Sequence, residues 1–240
     1  MKNTFHTIQL KLSEKKAQIA ILIDPDKTEH LEQLLNSGDY PDFFLVGGSL
    51  LYKGNTEATV RKIRSSSPSP VILFPGSSSQ ITKEADGIFL LSLISGRNPD
   101  FLIGQHVRTS FEIYNSGLEC IPVGYILIDS GKPTSVSYMS NTTPIPSDKK
   151  EIVAATALAG EQLGMKMIYI ENGSGADHHV SAELIKYLKQ FITIPLICGG
   201  GIRTPEQASV LFAAGADILV IGTVLEENPE LWLSFRKKFI

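Results

Sequence analysis

Residues 194–223 read IPLICGGGIRTPEQASVLFAAGADILVIGT. Two β-rich apolar runs of about five residues flank one helical pattern of about ten, so the stretch is a single βαβ unit. Thr204, Pro205 and Gln207 mark the helix start: a hydroxyl N-cap, a proline where no N–H is needed, and an amide three residues on that completes a capping box. Just before it, Gly199, Gly200 and Gly201 let backbone amides come close to an anion, because no Cβ stands in the way. Gly222 and Thr223 repeat the device after the next strand. In a (β/α)8 barrel the loops after strands seven and eight commonly form a phosphate site, and this unit ends close to residue 240. The other reading of these glycines is tight βα turns that hold no ligand.

Working outward, the same kind of apolar run recurs. Gln18–Asp24, Asp42–Gly48, Pro70–Gly76, Gly87–Leu93, Ile121–Asp129 and Met165–Glu171 precede the two runs already quoted, which makes eight. Most show no polar alternation, the pattern of strands covered on both faces. Helical stretches lie between them at His30–Ser37, Glu57–Ser65, Asn98–Ser116, Asp148–Leu163, Val180–Gln190, Pro205–Ala214 and Pro229–Phe239. The expected fold is α/β, a single (β/α)8 TIM barrel with parallel strands spanning residues 1–240. Phe5, Ile8, Leu10 and Leu12 suggest a leading helix over about 1–16. The connection Ser77–Asp86 is too short to assign as a full helix. Residues 130–147 are the longest polar interval and follow strand five, where a loop is either a lid over substrate or an inconsequential insertion.

The chain has 240 residues, 42% hydrophobic and 20% charged, with a formal net charge of −3. Lys and Arg are scattered, so no electrostatic footprint for nucleic acid is present. Cys120 and Cys198 both fall in strand-like runs and read as buried thiols in a reducing compartment. The first sixteen residues lack the apolar core of a secretory signal, and no run of about 18 apolar residues occurs. These features predict a cytoplasmic protein without a membrane span, which leaves a lipid substrate open.

In a parallel barrel the chemistry sits just past the C-terminal ends of the strands. Asp24 and Asp26 flank Pro25 there, and Ser49 follows strand two. A carboxylate with a nearby hydroxyl suits Mg2+, which takes hard oxygen ligands and usually only one or two carboxylates plus substrate phosphates. A turn or N-cap role is the alternative, stronger for Asp26. Glu171 ends an otherwise apolar strand and could take a proton from a substrate hydroxyl; the alternative is a structural carboxylate satisfied by amides. Gly173, Ser174 and Gly175 after it look like a further phosphate or hydroxyl contact. His178 and His179 have no third His or Cys at ligand spacing and read as decoration of the next helix.

Taken together, LIDPDK (Leu22–Lys27), VGGS (Val46–Ser49), SGRNPDFLIGQHV (Ser95–Val107), GYILID (Gly124–Asp129), YIENGSGA (Tyr169–Ala176), CGGGIR (Cys198–Arg203) and VIGT (Val220–Thr223) resemble the geranylgeranylglyceryl phosphate synthase family and its bacterial relatives. The resemblance covers nearly the whole chain. It implies transfer of a geranylgeranyl or similar prenyl group from its diphosphate to the 3-hydroxyl of sn-glycerol 1-phosphate. It implies Mg2+ as cofactor, held by Asp24 and Ser49. It also implies an acceptor site made of Tyr169, Ile170, Glu171, Asn172, Gly173, Ser174, Gly175, Gly200, Gly201, Gly222 and Thr223, with Glu171 as the base. For the apolar tail, Tyr125 and Phe89–Leu91 are candidates, with core packing the alternative. Barrels of this kind commonly associate, so a homo-oligomer is expected. Two departures place the chain with the second group of the family: Leu22 stands where many members carry Lys, and NGSG where many read YSG. Lys27 is the candidate to supply the missing cationic contact.

Two rival functions remain open at this level. A sugar-phosphate isomerase would use Asp24 and Asp129 as an acid/base pair and would want a second phosphate site after strands three and four. A non-catalytic phosphometabolite-binding barrel is the other, against which stand carboxylates at three strand ends, since phosphate binding alone does not favour negative charge nearby.

Overall fold

Apolar runs without alternation need cover on both faces, and the chain meets that need by alternating them with helices. The computed structural model describes residues 3–14 and 16–239. In order these form α1 (Thr4–Ser13), β1 (Gln18–Ile23), α2 (Leu31–Asn36), β2 (Phe43–Val46), α3 (Thr56–Ser66), β3 (Val71–Leu73), a 3-10 turn (Ser78–Gln80), β4 (Gly87–Leu93), a π-helical turn (Asp100–Gly104) and α4 (Gln105–Ser116). They continue as β5 (Glu119–Leu127), α5 (Ser135–Ser140), α6 (Lys150–Gln162), β6 (Met167–Glu171), α7 (Ala182–Leu188), β7 (Leu196–Gly199), α8 (Pro205–Ala214), β8 (Ile218–Ile221), α9 (Thr223–Glu227) and α10 (Leu231–Phe239). The eight strands close into a parallel barrel in sequence order, the (β/α)8 fold.

The chain divides into two compact units. The first holds the chain up to Phe89, His106–Ile121 and the segment from Ile221 onward. In it Leu22 pairs Leu45, and Leu45 pairs Ile72. Its centre is aromatic: Phe43, Phe44, Phe89, Trp232 and Phe235 are all fully buried. Phe89 meets Phe43 and Phe74 edge-on at 6.5 and 6.4 Å between ring centroids, a favoured geometry for aromatic pairs. Trp232 donates its indole N–H to the Asp39 carbonyl at 2.7 Å, so burying the ring leaves no orphan donor. Helix α1 is fastened by its first amides, since Thr4 and Phe5 both donate to the Glu119 carboxylate. That carboxylate at a helix N-terminus also complements the dipole.

The second unit holds Leu90–Gln105 and Pro122–Val220. Strands β5, β6 and β7 align so that Tyr125 pairs Tyr169, Leu127 pairs Glu171, and Glu171 pairs Gly199. Side chains alternate along a strand, so Met167, Tyr169 and Glu171 share one face of β6 and Ile168 and Ile170 the other. Helix α8 begins as its sequence predicts: the Thr204 side chain accepts from Gln207 N, Gln207 reaches back to the cap, and Gly215 closes the helix in a left-handed conformation.

Three sequence-based expectations are corrected. Cys120 is exposed, not buried, because it lies at the first residues of β5, where burial is not yet continuous; Cys198 is fully enclosed in β7 and burial pushes its thiol pKa up. The interval 130–147 is not a plain loop but contains α5, with a capping box at Thr134 and a bridge from Ile128 to Ile145. The helix expected over Asn98–Ser116 opens as a π-helical turn before becoming α-helical.

Candidate active site

In the first unit, Asp24 follows β1 and its carboxylate lies alongside the end of β2. A Cβ added to Gly48 would stand 3.3 Å from the Asp24 carboxyl carbon, so the glycine gives the carboxylate its room. Asp24 Oδ1 accepts from Asp26 N at 3.0 Å, and its Oδ2 lies 3.8 Å from Lys27 Nζ. Lys27 makes its closer pair with Glu226 of α9 at 2.9 Å. Burial pushes the Glu226 carboxyl up despite that lysine. Ser49 follows Gly48 directly, and both are half-buried. One carboxylate and one hydroxyl are hard-oxygen donors short of a full cage, which fits Mg2+ shared with a phosphate ligand, and the neighbouring Lys27 ammonium adds positive charge for that phosphate. Among the described residues no group of three or more His, Cys, Asp or Glu gathers as a metal cluster.

Asp26 does different work. It is 6% exposed and accepts from the amides of Tyr52 and Lys53, both at 3.0 Å, and of Gly54. Burial opposes its charge, but those amides outweigh burial and hold the carboxyl below its ordinary range. It organises the loop after β2, the turn role weighed for it above. Leu22 packs beside Gly222, whose added Cβ would be 3.5 Å from the leucine Cβ. Gly222 is the N-cap of α9 and Thr223 its first residue.

The second unit centres on Glu171, which is 6% exposed. Its Oε1 accepts from Gly173 N at 2.7 Å, and the Tyr169 hydroxyl lies on the same side of Gly199 as the carboxylate and favours its charged form. Burial dominates over both influences and lifts the carboxyl pKa to about 7. The Tyr169 ring stacks on Tyr125 with centroids 5.2 Å apart, and burial raises both phenols well above their ordinary range. A methyl at Gly199 would strike the Tyr169 hydroxyl and the carboxylate, and one at Gly200, whose φ is +80°, would strike Glu171 Oε1. Gly199 and Gly200 are therefore needed here to let the β7 turn lie against a buried acid.

The remaining expected contacts fall around that acid. Ile170 is fully buried on the opposite face of β6, so only its backbone can serve a ligand. Asn172 donates from Nδ2 to the His178 carbonyl at 3.0 Å, while its buried Oδ1 has no protein partner. Ser174 is exposed and Gly175 half-buried, in a turn kept open by positive φ at Gly173 and Gly175. Gly201 adopts φ +71° beside the His178 backbone. His178 is exposed and His179 bonds the Val180 carbonyl, in line with a decorative role. Asp129 is exposed, and its Oδ1 closes a turn on Gly131 N at 2.9 Å, which leaves it poorly suited to the acid/base role of the isomerase reading.

Three features were not read from sequence. Gln80 is fully buried on the 3-10 turn after β3. Thr134 packs against Gly173 so closely that a methyl there would collide with it. An apolar groove of about 510 Å3 runs along α6, lined by Ile94, Leu102, Ile152, Ala155, Ala159 and Leu163. Of the residues considered for the tail, Phe89 and Tyr125 are buried, the core-packing alternative, whereas Leu90 and Leu91 are half-buried. The groove draws on widely separated residues, so no local pattern announces it; SGRNPDFLIG and the Ala-rich α6 were the visible signal.

A parallel (β/α)8 barrel with a buried, near-neutral carboxylate set among glycine turns is an enzyme of the phosphate-handling barrel class. Comparison with known proteins gives the particular kind: the chain matches the PcrB family over residues 11–238 and belongs to it. A geranylgeranylglyceryl phosphate synthase of Spirosoma linguale is 49% identical over 92% of this chain and 90% of its own length. The synthase of Thermococcus kodakarensis is 43% identical over 92% of this chain and 88% of its own. The crystal structure of the Thermoplasma acidophilum enzyme in complex with its substrate sn-glycerol-1-phosphate superposes with a TM-score of 0.88 at 29% identity, covering 100% of this chain and 97% of that one. The chain is a prenyltransferase of this family.

Proposed function

We propose that the chain transfers a prenyl group, geranylgeranyl or one of similar length, from its diphosphate to the 3-hydroxyl of sn-glycerol 1-phosphate, the first ether-bond step of an ether lipid. The observation that carries this is Glu171, a buried carboxyl with a pKa near 7 enclosed by the β6 and β7 glycine turns. The acceptor's 3-oxygen bonds to C1 of the prenyl chain, the bond from C1 to the diphosphate oxygen breaks, and the hydroxyl proton passes to Glu171. Tyr169 orients the carboxylate through its hydroxyl. The amides of the Gly173–Gly175 and Gly200–Gly201 turns hold the acceptor phosphate. Asn172 Oδ1 is available to a ligand hydroxyl.

Asp24 and Ser49 would hold Mg2+ with the donor's diphosphate. The ion supplies charge neutralisation of the leaving group. Lys27 stands beside Asp24 and supplies the cationic contact for which the family resemblance implies a lysine at position 22. The apolar groove along α6 receives the prenyl tail, its volume of about 510 Å3 within the roughly 300–1,000 Å3 usual for ligand clefts. Segment 130–147 covers the acceptor through Thr134. The enzyme acts in the cytoplasm as a homo-oligomer. Among the described residues no helix is long and apolar enough to cross a membrane.

The test is a radiolabel assay with geranylgeranyl diphosphate, Mg2+ and either sn-glycerol 1-phosphate or its sn-3 enantiomer. An extractable product that requires the sn-1 acceptor and is lost with EDTA is expected. No product from any prenyl donor would overturn the reading, and rapid isomerisation of an aminoaldose phosphate would install the rival one.

A further inference from the structure

The ladder between β2 and β3 ends with Phe74 N donating to Val46 O at 2.8 Å. Beyond it both chains leave the sheet, and the two turns that follow are held by one side chain. Gln80 Oε1 accepts from Gly48 N at 3.1 Å and from Gly76 N at 3.3 Å, and its Nε2 donates to Gly48 O at 2.8 Å. A buried amide is costly unless both of its ends are satisfied. Here both ends are used, and every partner is backbone. The same two turns are in close contact, since a methyl at Gly76 would collide with the Gly48 carbonyl and the Ser49 Cα. Gly48 in turn lies against the Asp24 carboxylate.

We propose that Gln80 is the positioning residue of the divalent-cation site: by stapling the Gly48 and Gly76 turns it fixes where Ser49 stands relative to Asp24. The inference rests on the assignment of Asp24 and Ser49 to that site. Gln80 touches neither cation nor substrate; it sets the backbone from which one ligand projects. Loss of such a supporting interaction commonly lowers metal affinity by about 10–100-fold.

The experiment compares wild type with Gln80→Met, which keeps length and loses all three hydrogen bonds, and Gln80→Asn, which keeps the amide but falls one methylene short. Mn2+ affinity in the presence of inorganic diphosphate is read by electron paramagnetic resonance, and sn-glycerol 1-phosphate affinity by calorimetry. The expected result is Mn2+ binding weakened about tenfold in Gln80→Met, and less in Gln80→Asn, with acceptor affinity within about twofold of wild type in both and KM for the prenyl donor raised. Should Gln80→Met fail to fold, Gln80→Asn carries the same comparison. Unchanged Mn2+ affinity in a folded variant, or equal loss of cation and acceptor binding, would overturn the positioning role. Absence of Mn2+ binding in wild type would instead remove the cation site itself and, with it, anything for Gln80 to position.

Discussion

Glu171 shows how much a single position can carry. Sequence marks it because a lone acid ends the apolar run MIYIE, but its proton affinity depends on burial, which only the fold supplies. Serving as a base, it must be ionised, so kcat should rise with pH along an acid limb near 7. Glu171→Gln should lower kcat by roughly 10²–10⁴-fold while acceptor binding by calorimetry changes little; retained turnover would remove Glu171 from the reaction. The same shift sets a stability trend. Below about pH 4.5 both folded and unfolded chains hold the proton. Between there and about 7 the unfolded chain releases it first, so stability declines as pH rises, by about 3 kcal/mol if the whole shift is realised. Glu171→Gln should accordingly lose that segment of the decline, which denaturant titrations at pH 5 and pH 8 would reveal.

At the level of elements, legibility tracks locality. Helix α8 was readable to the residue because its cap, first-turn proline and closing glycine are all sequence neighbours. Helix α5 was not, since SVSYMS is polar and six residues long, and its place depends on partners far along the chain: Asn98 Nδ2 bonds the Ser140 carbonyl at 2.7 Å, and Thr134 fills the space that Gly173 leaves. Gln80 was invisible for the same reason, a lone amide in a serine-rich turn whose decisive partner, Gly48, lies 32 residues away. Gly173→Ala tests the α5 packing. At φ +100° the alanine costs about 1–2 kcal/mol of backbone strain and forces Thr134 away, so KM for sn-glycerol 1-phosphate should rise several-fold with KM for the prenyl donor unchanged. The α6 groove makes a separate prediction. Ala159 is exposed on its wall, so Ala159→Phe narrows the groove without disturbing the core. The preferred donor should become shorter in competition assays with prenyl diphosphates of mixed length; an unchanged length profile would exclude this groove as the tail site.

For the molecule as a whole, the barrel and its strand order were legible because eight apolar runs and their intervening helices follow from periodicity alone. Its state of association was not, because an apolar stripe on the outside of a helix looks in sequence like one that faces the core. Along α4, Val107, Phe111 and Tyr114 are spaced to share one face and are 65%, 81% and 83% exposed. Large apolar side chains clustered on one helical face of a folded chain mark an interaction surface more often than scattered singles do. A second copy of the chain is the occupant consistent with the homo-oligomer proposed above. A stable interface needs on the order of 1,000 Å2 or more in total, so these three residues would form its apolar centre and not its whole extent. Phe111→Lys places a charge where that centre must be dry, and it leaves the core of the monomer intact because the Phe111 ring already faces solvent there. Light scattering during size-exclusion chromatography should show the variant shifted toward a monomer of about 26.2 kDa, folded and with its unfolding midpoint in dilute solution no longer rising with protein concentration. A variant that keeps the wild-type mass would place the interface elsewhere and leave the α4 face without this role.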